Sequence, residues 1–315
     1  MKKQLFFTFI FVVVAGYTLA QTPKQYKIRF SGADKRVHIL VQQNSIIVEG
    51  YDGDEVIIEQ VGDRKDLPRE AEGLRMITGG VLDNTGLGAN VDQEGNALKI
   101  SIPRSRYNGN FSVKIPKNLA ITMQEDNSYG DGRKWTISKL AGEIELKTGY
   151  TSVYANDITG PLVANTGYGK IFVTYSSFNA KAPHSISSTG AIDVTLPTDA
   201  KVNLKMRSYY GDIFTDWDVT PTKKTTESGV RERELASVDA VRAVNRASAP
   251  TPPSAQGVSG VSVVSGNLLT TTFPADCDQC PNSWGKDSFD GTINGGGGSL
   301  QLKSSNGNIY LRKKK

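Results

Sequence analysis

The sequence predicts an all-β fold of the β-solenoid type, a single-stranded β-helix with coils of about 18–21 residues. Three observations carry that expectation. GEIELKTGYTSVYA, from Gly142, aligns without a gap on GPLVANTGYGKIFV, from Gly160, a repeat of 18 residues. A longer echo sets Val113, Ile115, Pro116, Ile121 and Met123 against Val194, Leu196, Pro197, Val202 and Leu204, 81 residues on. The glycines at 149, 167 and 190 divide that interval into steps of about 20 residues, the size of one solenoid coil.

The repeated unit is a polar residue, a glycine and an alternating strand, seen again in STGAIDV, SYYGDIFT and SNGNIYL. Alternation at period two puts one set of side chains inside. That set is Ile144, Leu146, Val153, Ala155, Leu162, Ala164, Ile171, Val173, Ile192, Val194, Leu204, Met206, Ile309 and Leu311. Each coil glycine is expected to supply backbone angles that a Cβ resists. No coil buries its apolar face alone, so the stack is the folding unit.

Residues 1–20 read as a signal peptide: Lys2 and Lys3, an apolar run from Leu5 to Val14, then Thr18-Leu19-Ala20 before Gln21. That run is too short for a permanent span, and no cysteine follows it to carry a lipid. The expectation is an exported protein of the periplasm, outer envelope surface or extracellular space, with no transmembrane segment in the mature chain. The formal charge of +5 becomes +3 without Lys2 and Lys3, which does not indicate a nucleic-acid partner.

Four parts follow: the signal peptide; coils over 21–218 with a loop excursion at 61–97; an insertion at 219–262; and final coils with a basic tail over 263–315. The insertion is rich in Ser, Thr, Ala and Pro and is expected to be disordered. The two cysteines, Cys277 and Cys280, predict a local disulfide in an oxidising compartment. With His38 and His184 distant in sequence, they do not predict a zinc site. Gly86-Leu87-Gly88 reads as a turn.

NSIIVEGYDGDEVIIE, DNTGLG, SYYGDIFTD and FDGTINGGGGSLQLKSSNGNIYLRK together resemble a family of bacterial envelope proteins named as candidate adhesins. The resemblance covers most of residues 37–311, apart from the insertion. It implies a right-handed β-solenoid and surface attachment, and it supplies no catalytic motif.

Neither G-x-S-x-G nor G-x-x-x-x-G-K-[ST] occurs in the chain. The Gly167–Lys170 stretch leads into a strand instead of the helix that a phosphate loop requires. Outward positions are more informative. Tyr150, Tyr168 and Tyr210 fall in one column, and Tyr154, Phe172 and Phe214 in another, with Asp193 and Tyr310 at the same coil position. Such columns either stack ring on ring and pack under a covering segment, or form a binding surface for a glycan or a cell-surface protein. The favoured function is a non-enzymatic, adhesin-like or scaffold protein of the cell envelope, with no cofactor and no metal. The alternative is a polysaccharide-acting β-helix enzyme using Asp193 and Asp212, with Lys170 as base or charge stabiliser.

Overall fold

The structure, a computed structural model, describes residues 25–62, 68–104, 109–126, 132–222 and 287–315. The signal peptide, most of the insertion, and Cys277 with Cys280 lie outside the described residues.

Period-two alternation becomes strands throughout. The first part holds β1 (Gln25–Arg29), β2 (Arg36–Val41), β3 (Ile46–Tyr51), β4 (Glu55–Val61), the hairpin β5 (Ile77–Thr78) and β6 (Val81–Leu82), β7 (Asn90–Glu94), β8 (Ala97–Ile102) and β9 (Asn110–Pro116). The middle holds β10 (Ala120–Glu125), β11 (Lys134–Ser138), β12 (Ile144–Thr148), β13 (Ser152–Ile158), β14 (Leu162–Thr166) and β15 (Ile171–Tyr175). Then come β16 (His184–Ser188), β17 (Ile192–Leu196), β18 (Val202–Ser208), β19 (Ile213–Thr215), β20 (Thr220–Pro221), β21 (Asp287–Ile293), β22 (Gly298–Ser304) and β23 (Ile309–Lys313). Among the described residues the only helical segment is a 3-10 turn at Arg69–Ala71.

From β10 to β17, consecutive strands fall in alternate sheets, and each pairs in parallel with the strand two further on. Ile144 lies beside Leu162 and Val153 beside Ile171, the register the 18-residue repeat predicts. The result is a ten-stranded sheet in the order β1-β4-β9-β3-β11-β13-β15-β17-β23-β19 and an eleven-stranded sheet in the order β20-β21-β18-β22-β16-β14-β12-β10-β2-β8-β7. Both are mixed and open. The predicted inward set is buried without exception. Each large aliphatic side chain in it contributes about 1.5–3 kcal/mol.

Strand order departs from chain order at both ends of the sheets. β8 and β9 sit outside β2 and β3, while β10 and β11 return to the inner side. At the other end β22 lies between β16 and β18, and β23 between β17 and β19. The last strands are intercalated where simple succession would have placed them outermost. Antiparallel strands end the parallel runs: β4 on β9, β1 on β4, β7 on β8 and β21 on β18.

The excursion at 61–97 contains more order than expected. Besides β5–β6 and β7, it forms a loop in which the Asp83 carboxylate accepts from the N–H groups of Thr85, Gly86 and Gly88 at 2.9 Å each. Gly86 and Gly88 have φ of 71° and 82°, so the G-x-G is a turn, and it drives Leu87 into the core. Chain contacts gather the described residues of 25–220 and 287–315 into one compact unit.

Candidate functional site

The repeated polar-glycine motif builds one corner of the stack. Glu125, Thr148, Thr166, Ser188, Ser304 and Ser208 occupy equivalent positions on β10, β12, β14, β16, β22 and β18. The five hydroxyls are at most 6% exposed. Most of them cap the turn that follows: Gly169 N–H donates to Thr166 Oγ1 at 3.1 Å, Gly190 N–H to Ser188 Oγ at 2.8 Å, Gly307 N–H to Ser304 Oγ at 3.0 Å and Gly211 N–H to Ser208 Oγ at 3.1 Å. Ser188 donates in turn to Gly169 O at 2.6 Å, and Ser304 to Gly190 O at 3.0 Å. These bonds between neighbouring turns follow the intercalated order.

The glycines of these turns serve a different purpose from the one expected. None of Gly149, Gly167, Gly169, Gly190, Gly211 and Gly307 is among the positive-φ residues. They are small because neighbouring turns touch backbone to backbone: a Cβ on Gly167 would lie 2.7 Å from Gly149 O, and one on Gly190 would lie 2.7 Å from Gly169 O. At β10 a carboxylate takes the hydroxyl's place. The Glu125 side chain, 2% exposed, accepts from Gly149 N–H at 2.8 Å and Thr151 Oγ1 at 2.6 Å, and pairs with Arg133 at 3.3 Å.

This corner and the adjoining strands set the predicted aromatic residues on the outer face of the ten-stranded sheet. Tyr150 stacks on Tyr168 with centroids 4.9 Å apart and planes 15° apart. Tyr154 stacks on Phe172 at 4.7 Å and 10°, and the Lys134 ammonium covers the Tyr154 ring at 4.1 Å. Phe214 stacks on Tyr310 at 5.3 Å and 13°. The spacing follows from that of neighbouring strands. The rings therefore satisfy one another and still meet solvent, Tyr168 being 66% exposed, Tyr210 78% and Phe214 47%. Their order is corrected by the intercalation: Tyr310 lies between Asp193 and Phe214.

Asp193 and Asp212 do not share a strand pair. β17 and β19 are separated by β23, which puts their backbones about 10 Å apart. The Asp193 carboxylate receives Arg312 Nε at 2.9 and 3.0 Å on its two oxygens. Asp212 uses its backbone N–H to reach Asn308 Oδ1 at 3.0 Å. Lys170 is exposed on β15's approach, and its N–H donates to Ser152 Oγ at 3.2 Å. In the acidic segment after β3, Asp52 pairs with Lys117 and Asp54 with Arg29. No group of three His, Cys, Asp or Glu side chains among the described residues is placed to hold a metal.

Sequence reasoning passed over His184, which occupies an inward position and is 1% exposed. Leu162 N–H reaches Nδ1 at 3.3 Å, the Tyr175 hydroxyl lies 3.0 Å from the same nitrogen, and Nε2 lies 3.0 Å from Asn179 O. An amide can only donate and a carbonyl only accept, so the ring is the neutral Nε2–H tautomer. Burial lowers the His184 pKa and pushes that of Tyr175 far up. The available signal was parity, since His184, Ile186 and Ser188 share one face of β16.

No family model and no curated protein matches the chain. Among solved structures it is similar to a candidate cell adhesion protein from Clostridium sporogenes, with 11% identity, a TM-score of 0.40, and coverage of 93% of this chain and 100% of that one. It is also similar to a candidate adhesin from Bacteroides fragilis, with 12% identity, a TM-score of 0.34, and coverage of 94% and 98%. Likenesses this distant carry no argument about function. No helix among the described residues is long and apolar enough to cross a membrane.

Proposed function

We propose that the chain is an exported, non-enzymatic protein of the cell envelope, adhesin-like or scaffolding, whose strands wind as a right-handed β-solenoid and present a binding wall to glycans. The supporting observation is the outer face of the ten-stranded sheet. Three stacked aromatic pairs stand there half in solvent, beside the exposed Tyr210. Aromatic area left at a solvated surface is costly unless something covers it in use, and flat rings suit the apolar faces of sugars. Alternation between two sheets, with parallel pairing two strands on, supports the solenoid winding.

The test is attachment. Tyr168→Ser combined with Phe172→Ser should weaken adhesion of the purified protein to a glycan array or to cells by about tenfold, from two stacking contributions of roughly 0.7 kcal/mol each. Melting should fall by only a few degrees, because these rings lie outside the core. Unchanged binding per folded molecule would remove this face from the function. Binding to protease-sensitive cells and to no glycan would make a surface protein the partner.

A further inference from the structure

The two sheets end unevenly. β18 and β19 follow one another in the chain, and β19 is the last strand of the ten-stranded sheet. The eleven-stranded sheet runs on past β18 through β21 and β20, so β21 has no counterpart across the core. Its Phe289 sits beside Met206 in the ladder, packs against the core and is only half-buried. A cavity of about 250 Å³ lies there, lined by Met206, Ile213, Thr215, Val219, Ser288 and Phe289. An engineered apolar cavity of roughly 150 Å³ takes up benzene, so this one has room for a large side chain.

The cavity borders a free edge. Asp212 O accepts from Ile309 N–H on β23 at 2.9 Å. Successive residues of a strand turn their N–H and C=O groups to opposite sides, so Asp212 and Phe214 face β23. Ile213 and Thr215 then direct two N–H and two C=O groups to the other side, where no strand lies among the described residues. Such an unpaired row is a template for a further strand. The aromatic stack ends at the same edge: Phe214 lies on Tyr310 at 5.3 Å, and the ring is 47% exposed.

Charge selects the occupant. Asp212 to Val219 reads DIFTDWDV, with three exposed aspartates and no cation. Asp216 accepts from Lys313 N–H at 2.7 Å and faces Arg312, which Asp193 also holds. Asp212 and Asp218 have no cation within 4.0 Å among the described residues. The same carboxylates oppose a second copy of the chain. Two β19 edges paired antiparallel about Phe214 would set Asp212 beside Asp216, and about Thr215 would set it beside Asp218.

We propose that β19 accepts an extended peptide strand of another protein, apolar beside Ile213 and Thr215, aromatic beside Phe214 and basic beside Asp212. Residues opposite one another in a ladder share a face, so an apolar side chain enters the cavity, the ring extends the stack and the cation meets the carboxylate. Backbone bonds supply the affinity of such strand addition, and the alternating side chains its selectivity. The proposal does not depend on glycan binding.

The probe is acetyl-Lys-Leu-Tyr-Leu-Lys-amide, whose side-chain order is the same in either strand direction, with the Glu-Leu-Tyr-Leu-Glu analogue as control. Titrated into the isotope-labelled full chain at low salt, the basic peptide should shift the Ile213 and Thr215 amide resonances. It should bind at least about tenfold more tightly than the acidic one, and added salt should erode the difference. Asp212→Asn combined with Asp218→Asn should bring the two peptides within about threefold of each other. Thr215→Pro removes an edge N–H and should weaken the basic peptide severalfold or more. Equal binding of both peptides by the wild type would overturn the proposal, as would undiminished discrimination in the double asparagine variant. So would binding that leaves Ile213 and Thr215 unmoved, or no binding of either peptide at about 1 mM. A doubled mass in sedimentation equilibrium that Thr215→Pro abolishes would give the edge to a second copy instead. Should Thr215→Pro fail to fold, the asparagine variant and the two amides still decide.

Discussion

Replacing Ser188 with alanine removes one oxygen and two hydrogen bonds, one within its own turn and one to the neighbouring repeat. Ser188 Oγ accepts from Gly190 N–H at 2.8 Å and donates to Gly169 O at 2.6 Å. Ser188 is 5% exposed, and both the side chain and Gly169 are buried, so the Gly169 carbonyl loses its partner where water is scarce. An orphaned buried group costs about 1–3 kcal/mol. Gly190 is half-exposed, and water can partly compensate its N–H. Together the loss should be about 2–4 kcal/mol. At roughly 2–4 °C per kcal/mol for a chain of this size, Tm should fall by about 5–15 °C. Thermal denaturation followed by circular dichroism reads this directly. Ser188→Thr is the control, because threonine already fills the equivalent positions at 148 and 166, and it should melt within a few degrees of the wild type. If Ser188→Ala melts with the wild type, the hydroxyl column is decoration and the turns are held by side-chain packing alone.

Gly190→Ala should destabilise by about 2 kcal/mol or more through overpacking, since its Cβ would meet the Gly169 carbonyl oxygen at 2.7 Å, whereas Gly73→Ala, with φ of 77° and nothing within 4 Å, should lose only about 1 kcal/mol to backbone strain. Chemical denaturation of the two variants ranks them, and the reverse ranking would contradict the close-contact account of the coil glycines. Glu125→Ala removes a buried carboxylate that accepts from Gly149 N–H and Thr151 Oγ1 and pairs with Arg133, and it should cost about 3 kcal/mol or more in the same assay; a loss below about 1 kcal/mol would show that this carboxylate does not hold the turn. His184 has a folded-state pKa lowered by burial, so its contribution is complete above the unfolded value of about 6.5 and is lost as pH falls toward the folded pKa. The melting temperature of the wild type should therefore drop more steeply between pH 7 and pH 5 than that of His184→Gln, and parallel slopes would refute the neutral-histidine assignment.

The inward face was legible because burial in strands depends on parity, which local sequence states outright: Ile144 through Leu311 fell where alternation placed them. The pairs Tyr150–Tyr168 and Tyr154–Phe172 were legible for the same reason, since residues 18 apart in an ungapped repeat must become neighbours, whereas Tyr210 and Phe214 are set further off by the intercalated strands. The order of the last strands was not. Ile309 and Leu311 carry the same pattern as Ile213 and its neighbours, and nothing local says which coil a strand will join. That depends on which partners complete the turn bonds, here Ser304 with Gly190 and Ser208 with Gly307. The glycines were misread because sequence does not separate a need for positive φ from a need for closeness. Histidine's burial was missed because a lone His184 advertises polarity, and its partners, Tyr175 at the end of β15 and Asn179 in the segment before β16, are not connected to it by composition.

The placement of β22 and β23 bears on how the molecule is made. A ribosome releases β10 to β17 in an order in which each new strand finds its neighbour already present. β18 and β19 break that sequence, because the strands that join them to β16 and β17 are β22 and β23, synthesised almost a hundred residues later. Until then, either β18 occupies the wrong berth beside β16 or one end of each sheet stands open. A chain cut short before Gly298 therefore lacks its joint as well as its tail. The junction between β16–β17 and β18–β19 therefore waits on the synthesis of β22 and β23.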